Sequence, residues 1–155
     1  YEVFVSLRAM KAPTVAAVCG PAVGAGLNLA LACDIRMLAG DAYLRSMFLA
    51  NSIHPAGGHL RMLAPLVGHE LATAMAVFDR PVTGAEGAAA GLGLGPFAAA
   101  EVETEALAMV ERAAAKPALA RSIKASMPAV AELDVEVAAE FEAKAQRSSL
   151  KGRSV

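Results

Sequence analysis

The segment APTVAAVCGPAVGAGLNLALACD, from Ala12 to Asp34, limits the folds open to this chain more than any other. An apolar, β-branched run from Thr14 to Val18 stops at Gly20-Pro21, and Gly24 and Gly26 then open an Ala/Leu-rich stretch. That order reads as strand, tight turn and helix start. The first N–H groups of a helix have no partner within it, and the helix dipole there favours negative charge. Small residues let a ligand approach that backbone closely. Such a place suits the stabilisation of an oxyanion developing on a carbonyl.

Around this unit the pattern predicts a helix over Tyr1 to Ala9 with Val3, Phe4 and Leu7 on one face, and a helix over Leu27 to Cys33. Strands are expected over Ile35 to Ala39 and within Ala42 to Leu49, separated by a turn at Gly40-Asp41. Asn51 to Gly58, with Pro55, Gly57 and Gly58, reads as a loop. A helix then runs from His59 to Val67, interrupted by Pro65, and another from Glu70 to Phe78. Thr83-Gly-Ala-Glu86 matches a capping box, and Gly91 falls where that helix would stop. Glu101 to Ala115 is helical. Pro117 suits the first turn of a helix running to Ser126, and Pro128 is expected to break it. Ala129 to Gln146 reads as helix, and the polar Ser148 to Val155 as a frayed tail. The first third mixes strands and helices and the rest is helical, with no sharp linker, no second domain and no clear internal repeat.

Several function classes drop out at this point. The net charge is −1, with acidic and basic residues mixed and the few aromatics not interleaved with arginines, which fits no nucleic-acid or basic membrane surface. No apolar run reaches the ~20 residues that span a bilayer, and no signal peptide is visible. Cys19 and Cys33 are spaced for neither a metal nor a redox motif and are expected as buried, reduced thiols, consistent with a cytoplasmic location. The chain opens on Tyr1 directly into a helical pattern, so sequence upstream of it is expected.

Four segments in order resemble the enoyl-CoA hydratase/isomerase (crotonase) family. Pro21 to Asp34 is similar to its core signature and Ile53-His-Pro-Ala-Gly-Gly-His59 to its glycine-rich loop. Leu66-Val-Gly68 resembles its LVG element. Thr83 to Leu92, TGAEGAAAGL, resembles its A-x-E-A-x-x-x-G-L segment, with Gly87 in place of the second small residue. The resemblance implies an α/β, crotonase-type (ClpP/crotonase) spiral of β-β-α units, incomplete at the N-terminus. Residues 1–97 would form the C-terminal part of the spiral core, and residues 98–155 a helical oligomerisation region that builds a homotrimer or hexamer. It also implies an enzyme of lyase or isomerase type acting on an acyl-CoA thioester in fatty-acid metabolism. No separate cofactor is implied, since coenzyme A is part of the substrate, and no metal.

Carried over residue by residue, the resemblance makes the backbone N–H of Ala25 an oxyanion-hole donor. Substrate contacts fall to Val23, Gly24, Gly26, Phe48, Pro55, Ala56 and Gly57. The family's acidic positions fall on Asn28, Phe48 and Ala56, none of which exchanges a proton near neutral pH. Two-glutamate hydration, in which water attacks one carbon while the neighbour is protonated, therefore lacks its acid and base here. A non-catalytic acyl-CoA-binding subunit is the competing expectation. Asn28 can still hold a water or a carbonyl, and His54 and His59 are the remaining candidate bases, each with a structural hydrogen bond or exposure as its alternative. Asp34 is read as holding a turn, His69 as surface, and Met37, Met47, Met62 and Met75 as core filler. Ser46 and Ser52 lack a nucleophile-elbow context. Arg36, Arg45 and Arg61 are available for coenzyme A phosphates, with nothing in the sequence to choose among them.

Overall fold

A computed structural model describes residues 1–151. The chain divides into two compact units. The first takes Tyr1–Met10 and Thr14–Val110, the second Lys11–Pro13 and the chain from Glu111 onward.

The first unit opens with α1 (Glu2–Arg8) and then repeats one device. Two strands, β1 (Val15–Val18) and β2 (Ala22–Val23), lead into α2 (Ala25–Ala32); β3 (Ile35–Ala39) and β4 (Tyr43–Arg45) lead into α3 (His59–Ala76); β5 (Val82–Thr83) leads into α4 (Gly84–Ala89), and β6 (Leu94–Phe97) and α5 (Val102–Ala114) follow, the unit closing at Val110 within α5. Equivalent strands of successive repeats stack in parallel, with Val15 opposite Ile35 and Ala22 opposite Leu44. Two three-stranded sheets result, ordered β1-β3-β6 and β2-β4-β5, with β5 antiparallel to β4. These are coils of a β-β-α spiral, although no repeat is visible in the residues themselves. The core that closes the spiral comes from both sheets and the helices that return between them, with Leu27, Leu31, Met37, Leu38, Leu44, Leu63, Met75 and Val82 almost wholly buried. Filling this interior with aliphatic side chains and methionine supplies the main favourable free energy of the unit.

Polar ties hold the corners. The Asp34 carboxylate accepts hydrogen bonds from the Thr14 N–H (2.8 Å) and hydroxyl (3.0 Å), and the Thr14 oxygen accepts from the Asp34 N–H. The turn role read for Asp34 is thus its role. Buried Arg36 donates to the carbonyls of Leu92 (2.6 Å) and Cys33 (2.8 Å). Its burial pulls the guanidinium pKa below the usual value.

The second unit carries α6 (Pro117–Val130) and α7 (Val135–Lys151). Pro117 occupies the first turn of α6, as its sequence position predicts.

Several expectations need correction. Val3 is exposed while Phe4 and Leu7 face the core. The break in the third helix falls at Gly68 (φ +76°, ψ 168°) and not at Pro65, which sits inside helical backbone. Pro128 does not end α6 either, since only the upstream carbonyl loses its donor and the helix continues to Val130. The chain beyond Val67 is not wholly helical. β5 and β6 lie there, and β2, β5 and β6 escape a period-based reading because they are two to four residues long and, in β6, carry Gly95-Pro96. The Ala42 to Leu49 strand shortens to Tyr43–Arg45. α7 continues through Ser148 to Lys151, so the expected fraying does not begin at Ser148; residues 152–155 lie outside the described residues. Cys19 is exposed and Cys33 half-buried, so neither is the buried thiol expected.

Candidate functional site

α2 begins without a side-chain cap. Its N-cap is Gly24, held at φ +53° and ψ −114°, backbone that a side chain rarely adopts. The Gly24 N–H donates to the Arg45 carbonyl (3.0 Å), and the first bond of the helix runs from the Asn28 N–H to the Gly24 carbonyl (3.0 Å). The N–H groups of Ala25, Gly26 and Leu27 come before that first bond, and among the described residues nothing accepts from them. Ala25 and Gly26 are exposed. Two accessible backbone donors thus stand at the positive end of a helix dipole. This is the place to which the resemblance assigned the oxyanion donor.

Beneath it lies a polar chain that is otherwise enclosed by apolar residues. Asn28, His59 and Ser46 are each 1 % exposed or less. Asn28 Nδ2 donates to the Ala56 carbonyl (3.0 Å), which leaves Asn28 Oδ1 facing His59 Nδ1 at 2.7 Å. Oδ1 only accepts, so Nδ1 carries the proton and Nε2 is the acceptor in the neutral ring. The Ser46 hydroxyl, 2.8 Å from Nε2, therefore donates to it. The direction is fixed from end to end: Ser46 O–H to His59, His59 N–H to Asn28, Asn28 N–H to Ala56. The Phe48 ring meets the imidazole edge-on with centroids 5.0 Å apart. Burial lowers the His59 pKa from 6.5 to about 4, so the ring is neutral at pH 7.

The other sequence candidates separate cleanly. His54 is exposed and its Nδ1 lies 2.7 Å from the Pro55 carbonyl, outside the buried chain. Val23, Gly24, Pro55, Ala56 and Gly57 are half-buried along the two edges that meet at Asn28. A Cβ added to Gly57 would stand 2.6 Å from the Phe4 ring and 3.2 Å from Asn28 Nδ2. Arg36 is committed to backbone carbonyls, and Arg45 pairs with Asp79 at 2.5 Å, which leaves Arg61 as the exposed member of the three. Hydrogen bonding to Arg45 holds the Asp79 carboxyl below its ordinary pKa. Met37, Met62 and Met75 are buried in the core and Met47 is half-buried. His69 is exposed. Among the described residues no group of three or more histidine, cysteine or acidic side chains is arranged to hold a metal ion. No helix among them is long and apolar enough to cross a membrane.

Sequence reasoning missed Ser46. Its partner lies thirteen residues on, across the glycine-rich loop, and no local motif joins them.

The family model for enoyl-CoA hydratase/isomerase matches residues 1–154. This chain belongs to that family. The probable enoyl-CoA hydratase EchA14 of Mycobacterium tuberculosis is 37% identical over 140 residues, covering 88% of this chain and 54% of its own. Human mitochondrial methylglutaconyl-CoA hydratase is 40% identical over 83 residues, 54% of this chain and 24% of that one. A putative enoyl-CoA hydratase from Thermobifida fusca, solved in complex with CoA, superposes with a TM-score of 0.86 at 34% identity, over 97% of this chain and 59% of its own. The chain thus spans a little over half the length of EchA14 and of the Thermobifida fusca protein. The crotonase-type fold implied by the motifs is the fold observed. Within this member of the enoyl-CoA hydratase/isomerase family, Asn28, Phe48 and Ala56, the three positions without the expected carboxylates, all gather around His59 or its partner amide.

Proposed function

We propose that this chain binds an acyl-CoA thioester and stabilises its enolate through the backbone N–H of Ala25, with Gly26 beside it, in metabolism of the fatty-acid type. The observation that carries this is the uncapped first turn of α2, with exposed donors that nothing among the described residues uses. A thioester oxygen gains negative charge when an α-proton leaves or when a nucleophile adds at the β-carbon. Donors fixed in place before that charge appears stabilise it without reorganisation. The T. fusca relative bound to CoA supports the ligand class.

A specific observation bears on the reaction. The buried chain under α2 passes through a neutral imidazole whose two nitrogens are both engaged, and it contains no carboxylate. Such a group positions; it does not take a proton at neutral pH. Ser46, His59 and Asn28 are therefore positioning residues that hold the Ala56 loop to α2. This favours a protein that binds and polarises the thioester without two-acid hydration. The family resemblance, and not the site, carries the accompanying proposal of a cytoplasmic homotrimer or hexamer. Titration calorimetry with butyryl-CoA and the decay of the conjugated-thioester absorbance of crotonyl-CoA test the reading together. Binding without hydration is expected. Rapid hydration would show that another base serves, with His54 the first to replace. No binding of butyryl-CoA would sink the ligand class itself.

A further inference from the structure

Three residues with positive φ converge on one short segment. Gly24 (φ +53°) donates its N–H to the Arg45 carbonyl (3.0 Å), Met47 stands two residues further on at φ +61°, and Asp79 (φ +54°) reaches the segment from the linker between α3 and β5. Such backbone is uncommon outside glycine, and for methionine it costs free energy that the surroundings must offset. Asp79 supplies the offsetting contacts. Its Oδ2 accepts from the Arg45 guanidinium at 2.5 Å and its Oδ1 from the Met47 N–H at 3.0 Å, so one carboxylate grips both neighbours of Ser46. The Asp79 side chain is only 11% exposed, which shields these charge-assisted bonds from water. The gripped segment bears on α2 twice. The Arg45 carbonyl fixes its N-cap, and Ser46 heads the hydrogen-bonded chain through His59 to Asn28, one turn along the same helix.

Resting on the enolate reading above, we propose that Asp79 is a positioning residue for the oxyanion donor: its carboxylate locks Arg45 and Met47 in place and, through the Arg45 carbonyl, aims the Ala25 N–H. Asp79 itself touches no substrate. A donor stabilises a developing charge to the extent that its direction is fixed before the charge appears. Loosening the lock therefore costs the enolate, with its full charge on the thioester oxygen, more than it costs the neutral thioester, whose carbonyl carries little charge. That difference separates positioning from general support of the fold, which would weaken both alike.

The 155-residue chain is compared as wild type, Asp79→Gly and Asp79→Asn. The readouts are the enolisation pKa of bound acetoacetyl-CoA and the affinity for butyryl-CoA, which stays neutral. Glycine takes φ +54° without strain, so Asp79→Gly removes the carboxylate and no backbone preference; asparagine tolerates that φ and keeps one acceptor. Wild type is expected to lower the enolisation pKa by about one to two units. Asp79→Gly is expected to lose more than half of that shift and to hold butyryl-CoA within about twofold of wild type, with Asp79→Asn in between. A shift left intact in Asp79→Gly overturns the proposal and leaves the enolate reading standing. So does a loss of butyryl-CoA affinity as large as the loss of enolate stabilisation, which marks Asp79 as support for the fold alone. Should Asp79→Gly fail to fold, Asp79→Asn decides: a partial loss of the shift at unchanged butyryl-CoA affinity supports the proposal, and an unchanged shift overturns it. Wild type that binds acetoacetyl-CoA with no shift removes the enolate reading and this proposal with it.

Discussion

α2 and α4 both follow a two-residue strand and both begin on small residues, yet their first turns are completed in opposite ways. In α4 every early donor is used inside the protein. The Gly84 N–H reaches the Ala42 carbonyl (2.8 Å), the Ala85 N–H the Gly40 carbonyl (3.0 Å) and the Glu86 N–H the Thr83 hydroxyl (3.1 Å). The Glu86 carboxylate returns to the Thr83 N–H (2.9 Å), completing the capping box. In α2 the cap is glycine, Ala25 and Gly26 are exposed, and no group among the described residues accepts from their N–H donors. A helix start that the protein finishes with its own groups serves the fold. One left unfinished at an exposed edge is available to a ligand, and stability is the worse for it by about one cap, ~1 kcal/mol.

Substitutions can break this contrast. The largest effect is expected at Gly84, where an added Cβ would stand 1.8 Å from the Ala39 carbonyl oxygen. Gly84→Ala must therefore push α4 off β3. A loss above about 3 kcal/mol is expected in urea unfolding, through overpacking against backbone.

Next in size is a pH effect from the buried chain under α2. His59 titrates near 6.5 in the unfolded chain and near 4 when folded. The unfolded state binds the proton more readily, so stability falls as pH drops below about 6.5 and levels off below about 4, by up to about 3 kcal/mol. Urea unfolding at pH 7, 5.5 and 4 measures it. In His59→Phe this fall should vanish, although the variant starts less stable because Asn28 and Ser46 lose their partner.

Smaller still is Thr83→Ala, which removes the α4 cap. It should cost about 1 kcal/mol and leave acyl-CoA affinity unchanged, as read from paired melting and titration curves. The smallest effect is Gly26→Ala. A Cβ there meets nothing within 4 Å, and alanine favours helix, so stability should hold or rise by up to about 1 kcal/mol. A large loss at Gly26 would erase the distinction between the two helix starts.

The legibility of the chain follows the same division. The capping box at Thr83–Glu86 and the proline at the start of α6 are rules within four residues, and both were readable. The turn into α2 was readable for the same reason. The pairing of Val15 with Ile35 and of Ala22 with Leu44 was not, because stacked coils of the spiral share geometry and not residues. The motif order supplied that fold. At the site, the vacant acidic positions were visible as residue types. Their convergence on His59 and the recruitment of Ser46 were not, since they depend on a loop folding back over α2. The cysteines went the other way. Small and apolar by type, they were expected inside, but Cys19 directly follows the edge strand β1 and is exposed.

The central claim is that the open turn of α2 stabilises an enolate. Acetoacetyl-CoA tests it most directly, because its enolate absorbs and its enolisation can be followed with pH whether or not the protein turns anything over. Bound to this chain, its enolisation pKa should fall by about one to two units relative to the free thioester. In Ala25→Pro the N–H donor is gone, while proline is tolerated at the first helical position and Gly24, with ψ −114°, lies outside the α region a following proline disfavours. That variant should melt within a few degrees of wild type, still bind the thioester, and lose the shift. Enolisation of the bound thioester at the same pH as the free one, or a shift that survives Ala25→Pro intact, would contradict the account.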